Sequence, residues 1–223
     1  MSYILNLETA TKNCSVSVCN DDEILAIKEI ATQGFAHAEN LHVFIQDVLD
    51  SAGTKLKDLN AIAVSQGPGS YTGLRIGVSA AKGLSYALNI PLIAVDTLEI
   101  LARQLQIESG LIVPMLDARR MEVFIRVFSP NYLPQEDIKA LIVEPDSFDK
   151  YTGDLHFVGD GAPKLKDVIK DTRFFYHDTI LYPSAKEMIT IANAKFLAQD
   201  FVDVAYFEPY YLKDFVLTTS SKK

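Results

Sequence analysis

Residues 65–77, SQGPGSYTGLRIG, hold the turn on which the fold of this chain depends. Residues 60–65 (NAIAVS) enter it as a short apolar strand, and residues 72–88 leave it as a helix that ends before Pro91. A strand that passes through glycines into a helix is a local sign of an α/β protein. Free backbone N–H groups at such a turn lie beside the positive end of the helix dipole. Gly67, Gly69, Ser70, Thr72 and Gly73 therefore form a candidate anion- or nucleotide-binding turn, with Thr72 as the expected helix cap. The spacing matches neither the P-loop nor the dinucleotide fingerprint, so a tight structural turn is the competing reading.

The helix after the turn mixes small residues (Gly73, Gly77, Ala80, Ala81, Ala87) with bulky ones (Ile76, Val78, Leu84, Leu88). It is apolar on most of its circumference, which predicts burial on more than one side. Its small residues admit a second helix at close range. Two readings stand: a central core helix, or a helix shared between the core and a partner. Upstream, residues 3–7, 14–20 and 23–30 predict a three-stranded antiparallel meander with hairpin chemistry at Asn20-Asp21-Asp22. A helix over about 36–52 follows, with an apolar stripe of Leu41, Phe44, Ile45, Val48, Leu49 and Ala52 and an end at Gly53. Downstream come a strand at 92–95 and a helix at 96–107. The strand pattern restarts after Ser109-Gly110, with strands at 111–116, 121–128, 139–143 and 155–158 and helices at 162–170 and 184–198. The expectation is two lobes of similar style, 1–101 and 102–223, with the last segment packing back on the first lobe and no repeat visible in the sequence.

The 223 residues are 48% hydrophobic and 22% charged, ordinary globular usage. No apolar run approaches the ~18 residues of a membrane span, and the N-terminus lacks the basic segment of a signal peptide. Cys14 and Cys19 sit at an odd spacing in a strand-rich stretch, which puts them on opposite faces and argues against a bridge. A reduced, cytoplasmic location is expected. The net charge of −8 makes the chain a poor nucleic-acid clamp by itself, so an RNA substrate is expected to be held mainly by something else.

GPGSYTGLRIG closely resembles the hallmark of the TsaB (YeaZ) family, and the flanks agree: ILNLETAT, HAENL, AKGLSYALNIPLIAVDTLEILA, LDARRMEVF and VGDGA. The match is strong over residues 3–127 and loose beyond. The resemblance implies a two-lobed α/β fold of the actin-like, sugar-kinase and Hsp70 (ASKHA) type, each lobe a mixed sheet with helices. It implies a role in forming N6-threonylcarbamoyladenosine beside the anticodon of tRNAs that read codons starting with A. In that family the chain is a non-catalytic partner of the transferase TsaD, which carries the metal and the active site. The small ATPase TsaE joins them, and threonylcarbamoyl-AMP comes from a separate synthase. The first two helices contact TsaD, or a second copy when the chain is isolated. The expected interface is His37, Leu41, Phe44, Ile45, Val48, Gly73, Gly77, Ala81 and Leu84. No cofactor is expected to be required by this chain; ATP and Mg²⁺ serve the complex, and weak nucleotide binding at the glycine turn is compatible with that.

Some residues depart from the family pattern. Glu8 stands where an Asp is usual, and Met121 and Phe124 replace a Gly and a Tyr. Two other functions compete. An independent ATPase or phosphotransferase of the same fold needs a glycine-bearing first hairpin, and Glu8-Thr9-Ala10-Thr11-Lys12 has no glycine for close phosphate approach. A glycoprotease-type metallopeptidase needs paired ligands. His37 and His42 are five apart, about 140° around a helix, and no HExxH occurs. No G-x-S-x-G nucleophile elbow is present. Asp117, Arg119 and Arg120 read either as an ionic contact to a partner or RNA, or as a solvated salt-bridge turn. Gly159-Asp160-Gly161 reads as a turn.

Overall fold

The computed structural model describes residues 2–31 and 37–212. Its first sheet contains β1 (Tyr3–Glu8), β2 (Asn13–Asn20), β3 (Glu23–Ala31), β4 (Ala61–Gly67) and β5 (Leu92–Asp96) in the order β3-β2-β1-β4-β5. The meander β1–β2–β3 is antiparallel, while β4 and β5 join parallel to β1. Parallel strands need crossover connections, and helices cover both faces of the sheet. Strands β1, β4 and β5 are accordingly apolar on both sides. Leu5, Leu7, Ile62 and Val64 point to one face and Ile4, Ala61 and Ala63 to the other. Cys14 lies in the first of these clusters and Cys19 in the second, both as free thiols, as their odd spacing requires.

Helices α1 (His37–Ser51) and α2 (Tyr71–Leu88) cover the first face. The opposite face is covered from far along the chain, beyond the short α4 (Pro163–Lys166), by α5 (Ala185–Leu197) through Met188, Ile189, Ile191 and Ala192. By packing, α5 thus belongs to the first sheet, although β6 (Leu111–Asp117) to β10 (Phe174–Tyr176) all follow residue 102. The second sheet has the order β10-β9-β6-β7-β8, with β7 Glu122–Ile125, β8 Lys139–Ile142 and β9 Leu155–Val158. β6, β7 and β8 are antiparallel, and β9 and β10 join in parallel, so the two sheets share one topology. The repeat is one of connection and has no visible counterpart in the sequence. Short α3 (Thr97–Ala102) is wedged between the lobes, packing Leu98, Leu101 and Ala102 on Ile112, Leu116, Phe124, Phe128 and Val158. It ends five residues before the sequence pattern suggested, because Arg103 caps it and the chain turns. Strand β10 was not foreseen: three residues are too few to show a period.

Candidate functional site

The glycine turn is packed against the first hairpin of its own lobe. Ser70 N–H donates to the Ala10 carbonyl at 2.7 Å, and Thr9 Oγ1 donates to the Gly73 carbonyl at 2.8 Å. A Cβ at Gly69 would strike the Ala10 carbonyl, one at Gly73 the Thr9 carbonyl, and one at Gly77 the Thr9 hydroxyl. The helix cap is Ser70, whose Oγ accepts from Gly73 N–H at 3.2 Å; Thr72 is exposed beside it. Gly67, at φ 112°, gives its N–H to Thr97 Oγ1 at 3.1 Å and lies under the Tyr210 carbonyl. Several N–H groups of the turn are therefore bonded within the chain, and the carbonyls of Thr9 and Ala10 pack directly against Gly73 and Gly69. Depressions of about 420 and 470 Å³ lie on the surface of the described residues away from this turn.

Glu8 closes the same hairpin. Its carboxyl is fully buried, accepts from Ala10 N–H at 2.6 Å through Oε1, and leaves Oε2 without a partner among the described residues. Burial raises its pKa to about 7, against the opposing pull of the Ala10 hydrogen bond and the nearby Ser65 hydroxyl. In the second lobe, Asp160 Oδ1 accepts from Asp117 N–H at 2.9 Å. Burial likewise raises Asp160, and Lys12 from the first hairpin acts against that rise. Among the described residues no three His, Cys, Asp or Glu side chains converge as metal ligands. His156 and His177 do meet, Nδ1 to Nε2 at 3.1 Å, on the second lobe.

Most side chains of the expected partner interface lie inside the free chain. Leu41, Phe44, Ile45 and Val48 are buried in the core against the sheet, as are Gly73, Gly77 and Ala81, and Leu84 is half-buried against that cluster. An apolar stripe seeks the nearest apolar surface, and here its own sheet provides it. The side chain of His37 lies outside the described residues. The outward flanks of the two helices carry other groups: His42, Val43, Gln46 and Asp50 on α1, and Ser79, Gly83, Tyr86 and Ala87 on α2. Val43 is 54% and Tyr86 84% exposed. Residues 202–212 run along one edge of α2. There Lys82 Nζ donates to the Ala205 and Phe207 carbonyls, and Arg75 donates to Tyr211 Oη and stacks on Tyr71.

Sequence reasoning missed the contact that ties the lobes together. Asp96, at the end of β5, caps α3 through Leu98 N–H and pairs with Arg126 of the second lobe at 2.7 Å. Of the departures from the family pattern, Phe124 is buried in the interlobe cluster and Met121 is exposed at the tip of the β6–β7 hairpin. In that hairpin, Arg119 and Arg120 are both exposed, Asp117 Oδ1 accepts from Arg119 N–H at 2.6 Å, and Lys164 pairs with Asp117 at 2.8 Å.

Comparison with known proteins agrees with this geometry. The family profile described as TsaD, tRNA N6-adenosine threonylcarbamoyltransferase, matches residues 29–220. The tRNA threonylcarbamoyladenosine biosynthesis protein TsaB of Escherichia coli is 32% identical over 220 residues, covering 95% of this chain and 94% of that one. The crystal structure of YeaZ from Pseudomonas aeruginosa superposes with a TM-score of 0.84 at 27% identity, covering 95% of this chain and all of that one. Component A of the (R)-2-hydroxyglutaryl-CoA dehydratase of Acidaminococcus fermentans superposes at a TM-score of 0.52 and 10% identity over 87% of this chain and 99% of that one, a likeness of fold alone. The two-lobed, actin-like α/β architecture is the one shared.

Proposed function

The chain belongs to the TsaB (YeaZ) family, and from that premise we propose that it serves threonylcarbamoyladenosine synthesis on tRNA as a non-catalytic scaffold for the transferase TsaD. The observation that carries this reading is the packing of Gly69, Gly73 and Gly77 against Thr9 and Ala10. A phosphate cradle filled by the chain's own hairpin is poorly suited to catalysis, while the outer flanks of α1 and α2 stay open with Val43 and Tyr86 on them. In this reading the flanks, and not the buried stripe, meet TsaD in the complex or a second copy in the isolated chain. TsaE joins the assembly, ATP and Mg²⁺ serve the complex, and the work takes place in the cytoplasm.

Mixing the chain with the transferase of the same organism should yield a co-eluting complex on size exclusion. Val43→Glu together with Tyr86→Glu should separate the two proteins while each still folds, because both positions are exposed in the free chain. A charged residue at Gly77 or Ala81 tests folding instead, since both are buried. Tight binding of ATP with turnover by the isolated chain would replace the scaffold with an enzyme.

A further inference from the structure

A scaffold has no evident use for the strained basic turn between β6 and β7. Arg119 and Arg120 are consecutive and both left-handed, at φ 71° and 50°. That region is unfavourable for any residue with a Cβ, and glycine would occupy both positions without strain. The other non-glycine residues with positive φ, Asp21, Asn89, Tyr132 and Gln199, stand singly. A strained pair persists only where its surroundings hold it. Here Arg119 N–H donates to Asp117 Oδ1, Ala118 N–H donates to the Glu122 carbonyl at 3.0 Å, and Lys164 Nζ binds both Asp117 and that same carbonyl at 2.8 Å. Lys164 thereby neutralises the nearest carboxylate. Among the described residues neither guanidinium has a hydrogen-bond or ion-pair partner, and both arginines are exposed. In a chain of net charge −8, the two arginine heads are exposed cations with no paired carboxylate among the described residues.

We propose that the Arg119–Arg120 turn contacts the phosphate backbone of the RNA substrate in the assembled complex. The proposal rests on the scaffold reading, which brings an RNA to the complex. Guanidinium forks match phosphate oxygens at two points, and a turn held in advance loses little freedom on binding. Two adjacent cations on a held backbone suit a polyanion with closely spaced charges, from which they release counterions. A contact of this kind positions the RNA and reads no sequence.

The test titrates a fluorescein-labelled, unmodified tRNA transcript with the chain alone and with the chain plus its transferase, across a series of salt concentrations. Arg119→Gly/Arg120→Gly removes both heads and suits the left-handed backbone, so the variant folds. Arg119→Lys/Arg120→Lys keeps the charges. The glycine variant is expected to bind about tenfold more weakly near ~0.1 M salt, with the slope of log Kd against log salt reduced by about two, while the lysine variant keeps the slope. Unchanged affinity and slope in both samples overturn the proposal. It is also overturned if the glycine variant loses binding to poly-glutamate but keeps binding to tRNA, which would assign the turn to an acidic protein. Co-elution with the transferase is read separately. Its failure counts against the scaffold, and the titration of the chain alone still decides the turn.

Discussion

Glu8 carries a carboxyl that the fold encloses completely, with one oxygen bonded to Ala10 N–H and the other unpartnered among the described residues. Its pKa rises from 4.5 to about 7 because the charged form is desolvated. Between those values the folded chain keeps a proton that the unfolded chain releases. Stability therefore falls as pH rises from about 4.5 to 7 and levels off above, by about 3 kcal/mol for a shift of this size. Glu8→Gln has no such loss. In urea unfolding from pH 5 to 8, the midpoint of the variant should gain on that of the parent up to about pH 7 and then hold a constant lead. The sequence identified Glu8 as unusual for its family. That it would be wholly buried depended on tertiary packing around the hairpin, and no local signal carries that.

At the scale of the element, α2 separates the uses of its glycines. Gly77 faces Thr9, and an added Cβ would meet the Thr9 side chain, whereas a Cβ at Gly83 would meet nothing within 4 Å. Gly77→Ala should destabilise the chain by about 1–3 kcal/mol through overpacking. Gly83→Ala, in the same helix, should stabilise it by about 0.5–1 kcal/mol by restricting the unfolded chain. Thermal melts of the two variants, expected to move in opposite directions, check both. The small-residue stripe of α2 was legible as a close-approach face. That Gly73 and Gly77 face Thr9, in the turn between β1 and β2, was not, because spacing shows that room is left and not what fills it. The stripe of α1 was legible in the same way. Leu41, Phe44, Ile45 and Val48 form one face by periodicity, and that face turns inward to Leu5, Val16 and Ile62.

Over the whole molecule, Asp96 and Arg126 join the lobes through a largely buried ion pair. Arg126→Met would leave Asp96 buried and uncompensated, which should cost about 3 kcal/mol. Asp96→Asn keeps the cap on Leu98 N–H and removes the charge. The double variant Asp96→Asn/Arg126→Met should be clearly less destabilised than the sum of the single ones, and a double-mutant cycle by urea unfolding measures the difference. Neither residue drew notice in the sequence, since they are thirty positions apart and each has an ordinary local context. The return of α5 to the first sheet and the shared topology of the two sheets were hidden for the same reason. By itself the sequence determined the periodic features: the alternation of β1 and β4, the apolar stripes of α1 and α2, the opposite facing of Cys14 and Cys19, and the glycines that demand close backbone. These follow from the fixed geometry of strands and helices along a few residues. Only the tertiary structure decided what each apolar face meets, that Thr9 and Ala10 pack against the glycine turn, and that Arg119 and Arg120 have no side-chain partner among the described residues. Those outcomes depend on which distant segments compete for the same surface, a comparison that is made only when the whole chain packs.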